Sequence, residues 1–110
     1  MGGPGRHYLV AVHENQIVGY IGVWHNDEIV DILTLTVDPE FRRKGIAREL
    51  LKRMIDWARN KKAVAMMLDM REGNVEAQSL YLDNGFVPIS HRKDYYAPGV
   101  SAVIMRKDLR

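Results

Sequence analysis

The hydrophobic period of this chain first changes at Pro39, and that change constrains what it can fold into. Ahead of Pro39, Tyr8–Val12, Ile17–Trp24 and the Ile/Leu/Thr/Val-rich stretch from Glu28 to Val37 are β-type runs. Glu14-Asn15-Gln16 and His25-Asn26-Asp27 separate them as short polar turns, which predicts a three-stranded antiparallel meander. Beyond Pro39, the apolar residues Ile46, Ala47, Leu50, Leu51, Met54, Ile55 and Ala58 recur at i, i+3 and i+4. Arg48, Glu49, Lys52, Arg53, Asp56 and Arg59 take the opposite face, so an amphipathic helix of about fifteen residues is expected. Ala63–Leu68 is short, apolar and follows a helix, which reads as a buried strand. Asn74 suits the N-cap of a shorter helix through Ala77, Leu80 and Tyr81, stopped by Asn84-Gly85. Phe86–His91 and Val100–Arg106 complete the pattern as two strands joined by a Tyr95–Gly99 loop. The predicted order is β-β-β-α-β-α-β-β, an α+β fold on one mixed, mostly antiparallel sheet.

Composition narrows the functional classes. At 110 residues the chain has room for one core only, so 7–110 reads as a single domain. Met1–Arg6, with three glycines and a proline in six residues, reads as a flexible leader or cloning remnant. Sixteen basic and fourteen acidic side chains leave +2, too little for a nucleic-acid wrapper, and direct nucleic-acid binding is not expected. With no cysteine, disulfides, thiolate metal sites and thiol nucleophiles are excluded. The four histidines are scattered and His13-Glu14 lacks the second histidine of a zincin helix, so no metal site is expected. The longest uncharged stretch, Asn15–Asn26, has 12 residues, too few to cross a bilayer, and no secretory pattern opens the chain. A cytoplasmic protein that spans no membrane is the expectation.

The most informative segment is Val37-Asp38-Pro39-Glu40-Phe41-Arg42-Arg43-Lys44-Gly45-Ile46-Ala47. A strand ends, a proline breaks it, and a basic loop with one glycine opens directly into the amphipathic helix. Unpaired N–H groups and the positive end of the helix dipole make such a terminus a ready phosphate site. Arg42, Arg43, Lys44 and Arg48 add charge around it. Neither a Walker loop nor a GxGxxG fingerprint is present, and by itself the segment reads equally as a solvated basic helix start.

Arg42-x-x-Gly45-x-Ala47 resembles the Q/R-x-x-G-x-G/A acetyl-CoA loop of the GNAT superfamily of N-acetyltransferases. Leu68-Asp69-Met70-Arg71-Glu72-Gly73-Asn74, then Ala77, Leu80-Tyr81 and Asn84-Gly85-Phe86, is similar to that family's LEVR…N…A…LY…GF segment. His91-Arg92-Lys93-Asp94-Tyr95-Tyr96 and Ala102-Val103-Ile104-Met105 resemble the RRNYY…DALIM tail of one branch, the RimI-like ribosomal-protein-alanine N-acetyltransferases. The likeness runs from about Tyr8 to Leu109 with the motifs in order.

The resemblance implies direct transfer of an acetyl group from acetyl-CoA to an amine, with a protein or peptide N-terminus as acceptor. Leu35-Thr36-Val37 matches the end of the family strand that splays from its neighbour, which makes the Val37 N–H the expected donor to the thioester oxygen. Backbone N–H groups over Arg43, Lys44, Gly45, Ile46, Ala47 and Arg48, with the Arg42 side chain, are implied to hold the pyrophosphate. Asn74 matches a cofactor-contacting asparagine and is also a plain helix cap. Tyr81 matches the general acid beside the coenzyme sulfur. A thiol with a pKa of roughly 8.5 is a fair leaving group, so that proton helps without being indispensable. Asp69 stands where the branch has a glutamate general base, one methylene shorter. Either a bridging water completes the reach or another group takes the role. An α-amine of pKa near 8 is roughly 10% neutral at pH 7 and tolerates a weak base better than lysine, which favours an N-terminal acceptor. Tyr95 and Tyr96 match substrate-side tyrosines and also fit a generic aromatic loop.

The family fold normally opens with a strand and two helices ahead of the position of Tyr8, so the implied fold is an N-terminally truncated one. Apolar sheet surface is then expected to stand exposed, with a homo-oligomer covering it. Two other functions fit the same residues. One is an acetyl-CoA-binding module or pseudo-enzyme, impaired by the shorter Asp69 and the truncation; the other is a ribosome-associated RNA binder using the basic loop.

Overall fold

A computed structural model describes residues 5–110; Met1–Pro4, part of the expected leader, lie outside the described residues. The elements are β1 (Arg6–His13), β2 (Gln16–His25), β3 (Ile29–Val37), a 3-10 turn (Pro39–Phe41), α1 (Ile46–Asn60), β4 (Ala65–Arg71), α2 (Val75–Asp83), β5 (Val87–Ala97) and β6 (Val100–Asp108). The order is the expected one. Arg6, read from sequence as the last leader residue, is already in β1, and the Gly5 carbonyl accepts from the His25 N–H at 2.7 Å.

Local chemistry accounts for the boundaries. Glu14 and Asn15 both take positive φ (48° and 66°), as a two-residue hairpin loop requires. The Asn26 side chain accepts from the N–H groups of Glu28 and Ile29, both at 2.8 Å, and so launches β3. Asn74 caps α2 by accepting from the Ala77 N–H at 3.1 Å, and Gly85 at φ 90° ends it in the left-handed region.

Two segments differ from the sequence reading. Pro39–Phe41 is a 3-10 turn rather than open loop, because Asp38 caps it by accepting from the Glu40 N–H at 2.9 Å. Tyr95 and Tyr96 belong to β5 rather than to a loop beyond it. Arg92 pairs with Ala102 and Ala97 with Val100, so residues 93–96 bulge out opposite Ser101. Asp94 makes the bulge possible: it takes φ 56°, donates its N–H to Ser101 Oγ and accepts from the Gly99 N–H at 2.7 Å.

The six strands lie in the order β1-β2-β3-β4-β6-β5, antiparallel except for β3 against β4. Both helices pack on one face of the sheet. Leu50, Leu51, Met54, Ile55 and Ala58 of α1 and Tyr81 of α2 share one core with Ile21, Val23, Val30, Ile32, Met66, Leu68, Phe86 and Met105. Alternation sends their strand neighbours to the opposite face. Over β1–β3 that face is bare: Val10, Val12, Ile17, Tyr20, Trp24 and Leu33 are exposed. Among the described residues no helix is long and apolar enough to cross a membrane.

Candidate active site

The site begins with a fault in the sheet. β3 and β4 pair over only four positions, from Ile29↔Ala65 to Ile32↔Leu68. Leu33 is then a bulge in β3 against β2, since Gly22 pairs with Thr34 and Val23 with Ile32. Past it β3 stays bonded to β2 as far as Val37, while β4 stays bonded to β6 as far as Arg71. The two strands part, and backbone groups along the gap lose their ladder partners.

The direction of those groups follows from one hydrogen bond. The Asp38 N–H donates to the Val18 carbonyl at 2.8 Å, so it points toward β2. Alternate residues of a strand aim their N–H groups to opposite sides. The N–H of Val37, and that of Leu35, therefore point into the parting. The Val37 carbonyl points the same way and accepts from Arg42 Nε at 3.3 Å.

Below the parting, on the helix-covered face, lies a cleft of about 800 Å³. Leu35, Thr36, Val37, Arg42, Arg43, Gly45, Ile46, Ala47, Arg48, Asn74 and Tyr81 line it, so the expected cofactor residues and the expected acid meet in one place. Lys44 does not line it; its Nζ sits over the Phe41 ring, 5.7 Å from the centroid. Glu76, Ser79 and Asp83 of α2 also line the cleft and were not singled out from sequence. Their signal was weak, because on a short helix with little amphipathic contrast a cleft face and a solvent face look alike.

The α1 N-terminus supplies the cleft's polarity. Gly45 is its N-cap at φ 81° and provides no side-chain cap, so the first-turn N–H groups of Ile46, Ala47 and Arg48 stay available. Arg43 also takes positive φ, 63°. A Cβ at Gly45 would meet no atom within 4 Å, so backbone conformation and not packing asks for glycine there. Arg48 reaches Asp83 of α2 at 3.6 Å and Arg43 reaches Glu76 at 3.8 Å, two exposed pairs across the cleft that contribute little stability. This dipole end, with arginines around a roomy cleft, fits the phosphates of a nucleotide-bearing coenzyme.

Tyr81 stands in the cleft wall, 8% exposed, with its ring edge-on to Phe86 at 5.6 Å. Burial pushes its phenol above the ordinary value of 10.0, so the hydroxyl holds its proton at neutral pH. Asn74 spends Oδ1 on the α2 cap, which leaves Nδ2 without a partner among the described residues.

Asp69 lies elsewhere. It alternates with the core residues Leu68 and Met70, so it faces the opposite side of the sheet, beside the parting. Tyr95 and Tyr96 accompany it there, edge to face at 5.1 Å, with Arg92 over the Tyr95 ring and Arg71 over the Tyr96 ring. Burial first, then the charge of Asp69, holds the Tyr96 phenol above its ordinary value, which marks the two as neighbours. The arrangement thus has two chambers, a coenzyme-sized cleft with a proton-bearing phenol and an open face with a carboxylate, joined where the strands part.

Comparison with known proteins agrees with this geometry. The profile of the acetyltransferase (GNAT) family matches residues 2–86. A Bacillus subtilis protein, whose name proposes it as a ribosomal-protein-alanine N-acetyltransferase, is 32% identical over 93% of this chain and 68% of its own length. The N-alpha-acetyltransferase RimI of Mycobacterium tuberculosis is 33% identical over 96% of this chain and 68% of its own length. The crystal structure of the ribosomal-protein-alanine N-acetyltransferase from Escherichia coli superposes with a TM-score of 0.94 at 22% identity, covering 98% of this chain and 72% of that one.

Proposed function

The chain belongs to the GNAT family of acetyltransferases and uses acetyl-CoA as acetyl donor, and on that premise we propose that its acceptor is the N-terminal α-amine of a protein. The name of the Bacillus subtilis relative favours an alanine N-terminus of a ribosomal protein, and that of the Mycobacterium tuberculosis relative an α-amine. The observation that carries this reading is the parting of β3 from β4, with the Val37 N–H turned into it and opposed chambers on the two faces of the sheet. A thioester donor and an amine acceptor need that: separate approaches that meet at one backbone donor.

Acetyl-CoA, when bound, supplies an acyl group already activated as a thioester. In our reading the chain's own residues do the rest. The first-turn N–H groups of α1, with Arg42, Arg43 and Arg48, hold the phosphates, and Asn74 Nδ2 adds a polar contact further along. The Val37 N–H is fixed by the β2 ladder and by the Arg42 clamp on the same residue's carbonyl, so it meets developing negative charge without reorganising. Tyr81 keeps its proton at neutral pH and presents it in the cleft as a hydrogen-bond donor for a departing sulfur. Asp69, on the acceptor side, takes the proton that the amine must lose, and Tyr95 and Tyr96 wall the approach. A second copy of the chain, covering the bare face of β1–β3, completes the partners.

Free-thiol release from acetyl-CoA, measured with peptides beginning in Ala or Ser and with the same peptides N-terminally blocked, tests the reading. Release that requires the free amine supports it. Coenzyme-dependent thermal stabilisation with no release on any peptide would sink the peptide acceptor and leave a coenzyme-binding module.

A further inference from the structure

Two carboxylates line the same cleft as the arginines that would hold the coenzyme phosphates, an unfavourable place for negative charge. Glu76, Ser79, Leu80 and Asp83 stand at i, i+3, i+4 and i+7, so they share one face of α2, and all four line the cleft. Seven residues of helix set the two acids about 10 Å apart along the axis. Each reaches across to a cation at the start of α1, Glu76 to Arg43 at 3.8 Å and Asp83 to Arg48 at 3.6 Å. Among the described residues neither carboxylate has another ion pair.

Helix chemistry accounts for only one of them. Glu76 sits in the first turn of α2, where a carboxylate suits the dipole. Asp83 ends the helix, where a carboxylate is disfavoured, and that last turn holds no basic residue. Stability does not account for the pairs either, since both are exposed and such pairs add little to a fold. The same weakness suits them to exchange. A guanidinium engaged by a carboxylate must release it before serving a phosphate, so apparent affinity falls with the fraction of arginine so engaged. Pairs of this strength lower it about two- to sixfold each.

We propose that Glu76 and Asp83 tune the hold on the coenzyme and the speed of its release by competing with its phosphates for Arg43 and Arg48. This rests on the reading that those arginines hold the phosphates. During release each guanidinium passes from a phosphate oxygen to a carboxylate oxygen within the same cleft, so no cation is left unpaired on the way. The weaker binding then shows mainly as faster dissociation.

Calorimetric titration of CoA, with dissociation followed by stopped-flow displacement of a fluorescent CoA, tests the proposal. Wild type is compared with Asp83→Asn, Asp83→Glu, the pair Glu76→Gln/Asp83→Asn, Arg48→Ala, and Arg48→Ala/Asp83→Asn. Asp83→Asn is expected to bind CoA about threefold tighter and the acid pair variant about tenfold tighter, with dissociation slowed to match. Asp83→Glu, which keeps the charge, behaves as wild type. Arg48→Ala binds CoA more weakly, and in that background Asp83→Asn gains nothing. Thermal unfolding guards against misfolding, since Asp83→Asn removes a carboxylate from a helix C-terminus and is expected to melt no lower than wild type. Unchanged affinity in both acid variants, with Arg48→Ala still weakened, overturns the proposal and keeps the arginines as phosphate ligands. A gain from Asp83→Asn that persists without Arg48 also overturns it, because the carboxylate then merely repels the phosphates. Unchanged CoA affinity in Arg48→Ala removes the phosphate role of Arg48 and the proposal with it.

Discussion

Tyr81 is the side chain whose surroundings and proposed task can be separated most cleanly. Its ring packs on Phe86 inside the core, while its hydroxyl has no hydrogen-bond partner among the described residues. Tyr81→Phe therefore keeps the packing and deletes the proton. We expect kcat to fall about tenfold to a hundredfold, at the low end for general acids because a thiol leaves readily. Coenzyme affinity and melting temperature stay within error. A matching loss of melting temperature would make Tyr81 a core residue and nothing more. His7 presents a different chemistry at the far end of α1. It stacks on Trp57 at 4.2 Å with the planes 4° apart, His25 meets the same ring edge-on, and Lys61 lies over it. Burial, then Lys61 and His25, lowers the His7 pKa from 6.5, so the fold prefers the neutral ring. The unfolded chain consequently binds more protons across that window. Stability is full above pH 6.5 and falls as pH drops through the lowered value. Melting scans from pH 8 to 5 are expected to show this decline in wild type and a shallower one in His7→Phe, which retains the stack.

Among the elements, α2 tests whether one residue serves structure and ligand together. Asn74→Ala loses the cap, which is expected to cost about 1 kcal/mol. Asn74→Ser restores the cap and lacks the amide nitrogen. Coenzyme affinity reduced alike in both variants, with stability reduced only in the alanine, assigns Nδ2 to the ligand; affinity that recovers with serine leaves Asn74 as a cap alone. The elements were also where the sequence was most and least informative. The spacing of Leu50, Leu51, Met54, Ile55 and Ala58 dictated α1 because a 3.6-residue period has one way to bury them. The turn at Pro39–Phe41 and the bulge before Ala97 were not legible, since both depend on single side chains, Asp38 and Asp94, turning back on the backbone. The candidate site divides the same way. The loop and helix start around Gly45 were legible from residue types at fixed spacing. Glu76 and Asp83 were not, because only the placing of α2 opposite the start of α1 turns their face of the helix to the cleft. Nor could spacing show that Lys44 turns to Phe41 and away from the cleft.

For the molecule as a whole, the uneven clothing of the sheet matters most. Helices cover one face, while Val12 and Ile17, each 60% exposed, stand at the free end of the other beside Tyr20 and Val10. Such a continuous apolar surface favours association. Sedimentation velocity is expected to show a concentration-dependent dimer that Ile17→Lys weakens, with the coenzyme-induced thermal shift preserved; a monomer at all concentrations would remove the second copy from the scheme. The β3–β4 junction has a consequence of another kind. Its four residue pairs are, among the described residues, the only ladder joining the β1-β2-β3 half of the sheet to the β4-β6-β5 half, and α1 packs mainly on the first. Parallel pairing is slightly less stable per residue than antiparallel, and partial opening follows the weakest cooperative boundary. In deuterium exchange the amides of Leu33, Leu35 and Val37 should label early, those of β2 late, with the two halves differing in protection. The gap through which donor and acceptor meet is then also the seam along which the protein first comes undone, and a coenzyme seated there acts as the stitch that closes it.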